Sequence, residues 1–281
     1  MTDSFKLPTP HFTIEGVSRA GHETWFRIRE LGVALDVGRC PDELVHMQHV
    51  FISHVHLDHA VGIPFYAGQR QLQALEGGVV YVPAESADDM RLMLATWERM
   101  TRAAFNIDVR GVAAGDEIRF GRTHVVRAHA ATHRVAARAY EFIEARHHLK
   151  AEFVGQNVAQ LRRDGVAIEE EYRTSMLFYT GDTDRGILEA NDAIFKSEVL
   201  MIECSFIADG HQDRAAKYRH IHIDDIAEFA ERFENEMIVL THFSRRYSRD
   251  QIRDGVRRRL PHLLRDRIRL ALPEQWQRLQ P

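Results

Sequence analysis

The sequence predicts an α/β protein, and three observations support this prediction. Short apolar runs rich in Val, Ile, Phe and Leu recur along the chain, as is typical of buried strands. Segments with apolar residues at helical spacing lie between these runs. The chain has 281 residues, 44% of them hydrophobic and 28% charged, which suits one large globular domain or two small ones.

Six segments are predicted to be strands because β-branched and aromatic residues are concentrated in them. They are residues 50–53, 79–82, 138–143, 176–180, 199–203 and 237–241. Several of these strands lead directly into residues with chemically active side chains. His54, Asp182 and His242 each follow a strand, and Glu203 ends one. This placement is the main indication of a functional site.

Helices and one insertion are predicted between the strands. Residues 85–103 have apolar side chains at helical spacing, and residues 224–234 place theirs on one stripe, with Asp224 expected as the N-cap. Residues 146–173 are polar, with a short helix expected over 156–163. We therefore expect this last segment to be a surface excursion between two strands.

Bulk properties exclude several classes of protein. No stretch approaches the ~18 apolar residues that a membrane span needs, and residues 1–10 lack the apolar core of a secretory signal. Cys40 and Cys204 cannot build a disulfide framework and are expected to be small buried side chains. We therefore expect a cytoplasmic protein with no membrane partner. The net charge of −4 gives no global indication of nucleic-acid binding, although residues 245–269 hold ten arginines against three aspartates.

Three histidines and an aspartate are clustered directly after the first predicted strand, as His54, His56, Asp58 and His59. Imidazole and carboxylate groups are the ligands that zinc prefers when thiolates are absent. Residues two apart in an extended segment point the same way, so His54 and His56 can hold one ion while Asp58 and His59 turn toward a second. The alternative is a polar loop with fortuitous histidines, and the narrow pattern H-x-H-x-D-H argues against it.

Further ligands must come from elsewhere, because one such cluster does not complete two metal sites. His133, Asp182 and His242 lie downstream, each at a junction between a strand and a loop. Any one of them alone would be a weak signal, since a lone histidine is more often a core or surface residue. Their order behind the cluster argues against coincidence.

This set of residues resembles that of the metallo-β-lactamase superfamily and, within it, the ribonuclease Z family of endonucleases that remove the 3′ trailer of precursor tRNA. The similarity runs from residue 21 to residue 247 and looks closest to the short plant-type enzymes. The metal cluster indicates only the superfamily, whereas the segments 220–223 (HIHI) and 242–247 (HFSRRY) are more specific to the family. The resemblance implies a four-layer αββα metallo-β-lactamase sandwich, a single domain over residues 1–281.

The resemblance also implies that two zinc ions per chain are held by these side chains: one ion by His54, His56 and His133, the other by Asp58, His59 and His242, and both by Asp182. A hydroxide bridging the ions would attack the phosphodiester, since metals lower the pKa of bound water. Asp58 would also orient this nucleophile. His220 would protonate the leaving 3′-oxygen, and Glu203 would orient His220. His222 remains an alternative to His220, and Asp36 is expected to support the metal-binding loop.

The family holds tRNA with a protruding arm, and residues 146–173 occupy the corresponding position. The candidates for contacting RNA are Lys150, Arg162 and Arg163 in this arm, and Arg246 and Tyr247 near the C-terminus. A solvated charged loop is the alternative for the arm, and a structural turn is the alternative for the last two residues. The expected partners are precursor tRNA and a second subunit, since family members are commonly homodimers.

Two other functions are compatible with the sequence. One is a hydrolase of a small phosphodiester or other ester, without tRNA activity; the insertion argues against it, because such an enzyme has no use for a basic protrusion. The other is a nucleic-acid-binding protein that keeps the fold but not the chemistry. The complete set of candidate ligands argues against that second alternative.

Overall fold

The computed structural model describes residues 4–279. Residues 1–3 and 280–281 lie outside the described residues. The N-terminal segment in which we predict no secretory signal is therefore described only from residue 4 onward. Two seven-stranded sheets form its centre. The first contains β1 (Phe5–Pro8), β2 (Thr13–Arg19), β3 (Glu23–Ile28), β4 (Val33–Val37), β5 (His49–Phe51), β6 (Gly78–Pro83) and β7 (Ile107–Val112). The second contains β8 (Glu117–Phe120), β9 (His124–Ala131), β10 (Ala137–Leu149), β11 (Glu169–Tyr179), β12 (Val199–Glu203), β13 (Met237–Thr241) and β14 (Ile268–Leu270).

The helices connect and cover these strands. They are α1 (Asp42–Val45), α2 (Leu57–Ala60), α3 (Ile63–Leu72), α4 (Ala87–Thr101), α5 (Val158–Arg163), α6 (Gly186–Ala190), α7 (Gln212–Tyr218), α8 (Ile223–Glu228), α9 (Arg249–Arg259) and α10 (His262–Arg265). Short 3-10 turns span Arg29–Leu31, Ala84–Ser86, Ala151–Phe153, Asp192–Phe195, Ala230–Arg232 and Glu274–Trp276. Among residues 4–279, no helix has the length and apolar character that a bilayer crossing requires.

The two sheets have the same topology. Strands follow one another in chain order across each sheet, from β1 to β7 and from β8 to β14. In each sheet the first three strand pairs are antiparallel and the last three are parallel. The chain is therefore built from two structurally equivalent halves, although the sequence shows no short repeat.

Three apolar clusters show how the layers pack. One lies between the sheets and includes Phe51 of the first sheet and Tyr140 of the second. Another joins the outer face of the first sheet to its helices through residues such as Leu94. A third joins the second sheet to helices on the other side, with Ile226 and Val256 among its members. This arrangement confirms the predicted four-layer αββα sandwich.

The structure explains why strand β12 is apolar up to its last residue, Glu203. Val199 and Met201 belong to the cluster between the sheets, whereas Leu200 and Ile202 belong to the cluster under the helices. Both faces of a strand in the parallel part of such a sheet are covered, so alternation of polar and apolar residues is lost. The strands β12 and β13 accordingly have the predicted bounds.

Strands β10 and β11 extend much further than predicted. They continue as an antiparallel hairpin in which Leu149 pairs with Glu169, and the residues between include α5. Backbone hydrogen bonds between the two strands stabilise this part, and no apolar pattern is needed for them. The predicted insertion 146–173 is therefore the end of a long hairpin, which we call the arm.

The helix predicted over 224–234 is interrupted, and the prediction of Asp224 as its N-cap is wrong. Helix α8 ends at Glu228, and a 3-10 turn follows. The N-cap is His222, whose Nδ1 accepts a 3.2 Å hydrogen bond from the amide of Asp224. The carboxylate of Asp225 accepts a 2.9 Å bond from the amide of His222 in return, which completes a capping box.

Candidate metal centre

Parallel strands bring the predicted site residues to one edge of the molecule. Strands β11, β12 and β13 are neighbours and run in the same direction, so their carboxyl ends lie together. Asp182 follows the first of these strands, Glu203 ends the second and His242 follows the third. His54 follows β5 of the other sheet and forms an isolated β-bridge with Ala137 of the second sheet. The site therefore lies where the two sheets meet.

Three residues at this edge have unusual backbone conformations. Gly181 has φ +58°, and a Cβ there would lie 2.4 Å from Cβ of Ser53, so only glycine fits. His242 has φ 58° and Asp36 has φ 54°, which residues with side chains seldom adopt. The amide of His242 is fixed by a 2.8 Å hydrogen bond to Oγ of Ser18. Strained positions of this kind occur mainly where a site requires them.

His54, His56 and His133 form the first group of ligand atoms. Their nitrogens all lie within 4.8 Å of one another. Nδ1 of His56 is 3.0 Å from Nε2 of His54 and 3.3 Å from Nε2 of His133. Three ring nitrogens thus converge on one point, as a zinc ion would require.

Asp58, His59 and His242 form the second group, again within 4.8 Å of one another. Nε2 of His59 is 3.3 Å from Nε2 of His242, and Oδ2 of Asp58 is 3.6 Å from each of these nitrogens. The same carboxylate oxygen accepts a 2.7 Å hydrogen bond from the amide of Gly21. Two imidazoles and a carboxylate oriented by the backbone therefore form a second group that could hold a metal ion.

Asp182 lies between the two groups. Its Oδ2 is 3.7 Å from Nε2 of His54 and 4.0 Å from Nε2 of His133, in the first group. The same oxygen is 3.5 Å from Nε2 of His59 and 3.3 Å from Nε2 of His242, in the second. One carboxylate oxygen therefore contacts both groups, as a bridging ligand would.

The nitrogens that point away from this centre determine the orientation of the rings. Nδ1 of His133 donates a 3.0 Å hydrogen bond to the carbonyl of Arg219, and Nδ1 of His59 lies 2.7 Å from Oδ2 of Asp36. When Nδ1 carries the proton, Nε2 presents its lone pair to the centre. Lone pairs directed at one point repel each other unless a cation lies among them. The donor set therefore fits a pair of metal ions.

The shifted pKa values of His59 and Asp58 also indicate that the centre attracts positive charge. Burial disfavours the charged form of His59, but the carboxylates of Asp182 and Asp36 outweigh it and raise the pKa of His59 well above its usual range. Burial also disfavours the ionised form of Asp58, yet a hydrogen bond from His242 and the nearby imidazole charge bring its pKa to about 2. These buried carboxylates require positive charge, which protons or metal ions can supply.

His220 lies beside the centre, with its Nδ1 2.7 Å from Oε1 of Glu203. The other carboxylate oxygen accepts a 2.7 Å hydrogen bond from Oγ of Ser205, and Oε1 accepts one of 2.9 Å from the amide of Thr183. Burial lowers the pKa of His220, but the charge and hydrogen bond of Glu203 outweigh this effect and raise it to about 9. The pair therefore holds a proton at the edge of the centre.

His222 has both ring nitrogens engaged elsewhere. Nε2 donates a 3.0 Å hydrogen bond to the carbonyl of Ala208, and Nδ1 accepts the capping bond at the start of α8. The ring is buried, with 1% of the residue exposed. The geometry thus favours His220 over His222 as the group that faces a substrate.

Ser205 and Tyr179 were not among the predicted site residues. Oγ of Ser205 lies 2.9 Å from Nδ1 of His242 and also binds Glu203, so it links a candidate ligand to the His220 pair. The hydroxyl of Tyr179 donates a 2.6 Å bond to Oδ2 of Asp36. The sequence offered one indication of them, their position near predicted site residues. Tyr179 ends β11, and Ser205 lies two residues after the end of β12.

A cleft of about 310 Å³ opens above the centre, and its lining includes His56, His133, His220, Arg134 and Arg246. Both arginines are exposed. Of the predicted RNA contacts, Arg246 is therefore the one that faces the centre.

The other predicted RNA contacts lie away from this cleft. The Tyr247 hydroxyl is engaged within the protein, where it contacts the amides of Ile207 and Ala208 and Nδ1 of His211. In the arm, Arg162 pairs with Glu169, Lys150 is half-buried and Arg163 is exposed. None of these arm residues lines the cleft.

Comparisons with known proteins agree with this geometry. Residues 24–243 match the family model for the beta-lactamase superfamily domain, so the chain is a member of that superfamily. Within the superfamily, the chain belongs to the ribonuclease Z family. It is 32% identical over 251 residues to tRNase Z TRZ1 of Arabidopsis thaliana, covering 87% of this chain and 90% of the relative. It is 30% identical to the chloroplastic tRNase Z TRZ2 of the same plant, covering 87% and 71%.

A solved structure, that of the short form of human tRNase Z, shares the fold. Its TM-score is 0.55 at 17% identity, covering 87% of this chain and 94% of that one. The family resemblance predicted from the sequence is thus confirmed. Family membership indicates a hydrolase, and the donor set is compatible with a metal-dependent one.

Proposed function

We propose that this chain is a zinc-dependent endoribonuclease that removes the 3′ trailer of precursor tRNA. The observation that carries the proposal is the pair formed by half-buried His220 and buried Glu203, 2.7 Å apart beside the candidate metal centre. Breaking a phosphodiester at its 3′-oxygen requires a proton for that oxygen, and His220 holds one where the cleft opens. The named activity of the tRNase Z relatives supports precursor tRNA as the substrate.

The two groups of ligand atoms would hold two zinc ions per chain, and Asp182, whose Oδ2 contacts both groups, would be shared by them. Bound there, zinc would lower the pKa of water and make hydroxide available at neutral pH. Asp58 is held by the amide of Gly21, so its carboxylate is fixed for orienting the nucleophile. Glu203 keeps His220 protonated until the leaving oxygen takes the proton. The products are a tRNA body with a free 3′-hydroxyl and a trailer with a 5′-phosphate.

The arm is proposed to bind the tRNA at a distance from the cut. Arg163 is exposed near the end of the hairpin, and Lys150 and Arg162 are in the same region. Each phosphate that such a side chain neutralises makes binding more sensitive to salt. A hydrolase of small esters would not need this extension, which favours an RNA substrate.

A homodimer and a cytoplasmic location are also proposed. An apolar groove of about 530 Å³ between α3 and α4 is lined in part by Phe65, Leu72 and Trp97, which are 50%, 73% and 43% exposed. A second copy covering this groove would remove it from water.

The proposed cytoplasmic location is supported by the two cysteines. Cys40 and Cys204 are buried and unpaired, which suits a reducing compartment.

The test is incubation of the zinc-loaded protein with a precursor tRNA that carries a 3′ extension, followed by mapping of the cut. We expect one cut near the end of the acceptor stem, leaving a 3′-hydroxyl on the body. Hydrolysis of bis(p-nitrophenyl) phosphate without cleavage of the precursor would favour the small-ester alternative. Less than one zinc per purified chain, with RNA binding retained, would favour the non-catalytic alternative.

A further inference from the structure

A second cavity, of about 690 Å³, adjoins the metal cleft. We call it the side cavity; it is lined by residues of the segment 207–211 and of helix α9. Arg246 lines both the side cavity and the cleft, so the two meet at this side chain. The segment follows Phe206, whose ring centroid is 6.1 Å from that of His220. The side cavity therefore lies on the His220 side of the centre.

The side cavity offers hydrogen-bond donors. The Tyr247 hydroxyl accepts from the amides of Ile207 and Ala208, so it donates its own proton to Nδ1 of His211, 2.6 Å away. Nε2 of His211 consequently carries a proton. Arg246, the other donor at this end, contacts only Oγ of Ser244 among the described hydrogen-bonding groups, at 3.4 Å.

Arginines outnumber aspartates at the side cavity once the partner of the aspartates is included. Arg258 is exposed, lines the cavity and has no ion pair among residues 4–279. Asp250 and Asp254 also line it, but both are paired with Arg253. Counting Arg253, three arginines face two aspartates, and this excess of one positive charge favours an anionic ligand in the side cavity.

We propose that the side cavity binds the RNA strand on the 5′ side of the cut, which becomes the 3′ end of the tRNA body. This inference rests on the proposed function. In the reaction a hydroxide oxygen bonds to phosphorus, the bond from phosphorus to the 3′-oxygen breaks, and that oxygen takes the proton of His220. The 3′-oxygen belongs to the upstream nucleotide, so this nucleotide must lie on the His220 side.

The dimensions and donors of the side cavity suit this ligand. Its volume is within the range of about 300–1,000 Å³ that is typical of ligand pockets. Arg246 at the junction and Arg258 near the end of α9 can contact backbone phosphates of one strand at two separate points. His211, which also lines the side cavity, provides a donor for a phosphate or a base carbonyl.

The test uses the two reaction products as competitors of precursor cleavage by the zinc-loaded enzyme. One is an acceptor-stem minihelix with a 3′-hydroxyl at the cut, and the other is a trailer oligonucleotide with a 5′-phosphate. Arg258→Ala should raise the inhibition constant of the minihelix about tenfold, the effect of one charge-assisted hydrogen bond. For minihelix binding, the slope of the logarithm of the binding constant against the logarithm of the salt concentration should also become shallower by about 0.7 per lost phosphate contact. Inhibition by the trailer should not change.

Arg257→Ala is the matched control. Arg257 is the exposed neighbour of Arg258 on α9 and does not line the side cavity, so its removal changes the net charge equally. Both variants should hydrolyse bis(p-nitrophenyl) phosphate like the wild type. An unchanged inhibition constant for the minihelix in Arg258→Ala, an equal effect of Arg257→Ala, or weaker inhibition by the trailer would overturn the inference alone. A wild-type enzyme that leaves the precursor uncut would overturn the proposed function as well.

Discussion

The hydroxyl of Tyr179, the last residue of β11, donates a 2.6 Å hydrogen bond to Oδ2 of Asp36 in β4. The same oxygen lies 2.7 Å from Nδ1 of His59 and accepts a 2.8 Å bond from Oγ of Ser53. Tyr179 of the second sheet thus helps, through Asp36, to orient His59, a candidate metal ligand that follows a strand of the first sheet. The metal centre and the contact between the sheets are therefore one hydrogen-bonded network.

Replacement of Tyr179 by phenylalanine should weaken zinc binding and lower the melting temperature. The variant leaves the fully buried Asp36 carboxylate with one donor fewer, which costs roughly 1–3 kcal/mol. Loss of an outer hydrogen-bond partner of a metal ligand typically reduces affinity or activity about 10–100-fold. Zinc titration and thermal unfolding would measure both effects.

Tyr81→Phe is the control for this change, because Tyr81 lies in the same apolar cluster and its hydroxyl contacts His49, at 3.4 Å, and Arg110 rather than Asp36. It should bind zinc like the wild type. If Tyr179→Phe also binds zinc normally, the network does not orient the ligand.

Asp182→Ala should abolish activity and reduce the zinc content, because one carboxylate oxygen of Asp182 contacts both ligand groups. Metal analysis of the purified variant, together with precursor cleavage, would test this. Asp184→Ala is the control: it removes a carboxylate two residues away, whose Oδ1 accepts from the amide of Gly186. Asp184→Ala should keep its zinc, and full activity in Asp182→Ala would refute the bridging role.

His220→Ala and His222→Ala should affect different properties, turnover in the first variant and stability in the second. His220→Ala should lower kcat by roughly 10²–10⁴-fold with zinc still bound, since a general acid is lost. His222→Ala should instead destabilise the fold by about 1 kcal/mol or more, because it removes the N-cap of α8. Kinetics and unfolding measurements on both variants separate these outcomes. Severe loss of turnover in His222→Ala at full stability would reverse the assignment.

Shortening the arm should affect RNA but not a small substrate. Leu149 pairs with Glu169, so replacing residues 150–168 by Asn-Gly closes the hairpin with a two-residue turn. We expect a higher KM for precursor tRNA and unchanged kcat/KM for bis(p-nitrophenyl) phosphate. An equal loss on both substrates would show that the shortened protein is damaged rather than deprived of an RNA contact.

The strands and the candidate ligands were predictable because their signals are local. An apolar run followed by a histidine or an aspartate is visible in a few residues, as at His54 and His242. The hydrogen bonds that orient the ligands are not visible in this way. Ser205 and His242 are 37 residues apart, and Tyr179 and Asp36 are 143 apart, so no pattern along the chain connects them.

Two errors had physical causes. Aspartate is a preferred N-cap, which favoured Asp224, but the imidazole of His222 accepts the amide bond and Asp225 completes the box. The predicted strands 138–143 and 176–180 stop short of the arm, because the residues beyond them are polar. Strand pairing stabilises it as far as Leu149 through backbone bonds that do not depend on side-chain type.

The division of the chain into two equivalent halves determines when hydrolytic chemistry becomes available. Ligands from His54 to His59 belong to the first half, whereas His133, Asp182 and His242 belong to the second. A nascent chain that has folded only its first half holds an incomplete set of donors and lacks His220. During synthesis, the candidate centre is therefore complete only after both halves have folded and joined.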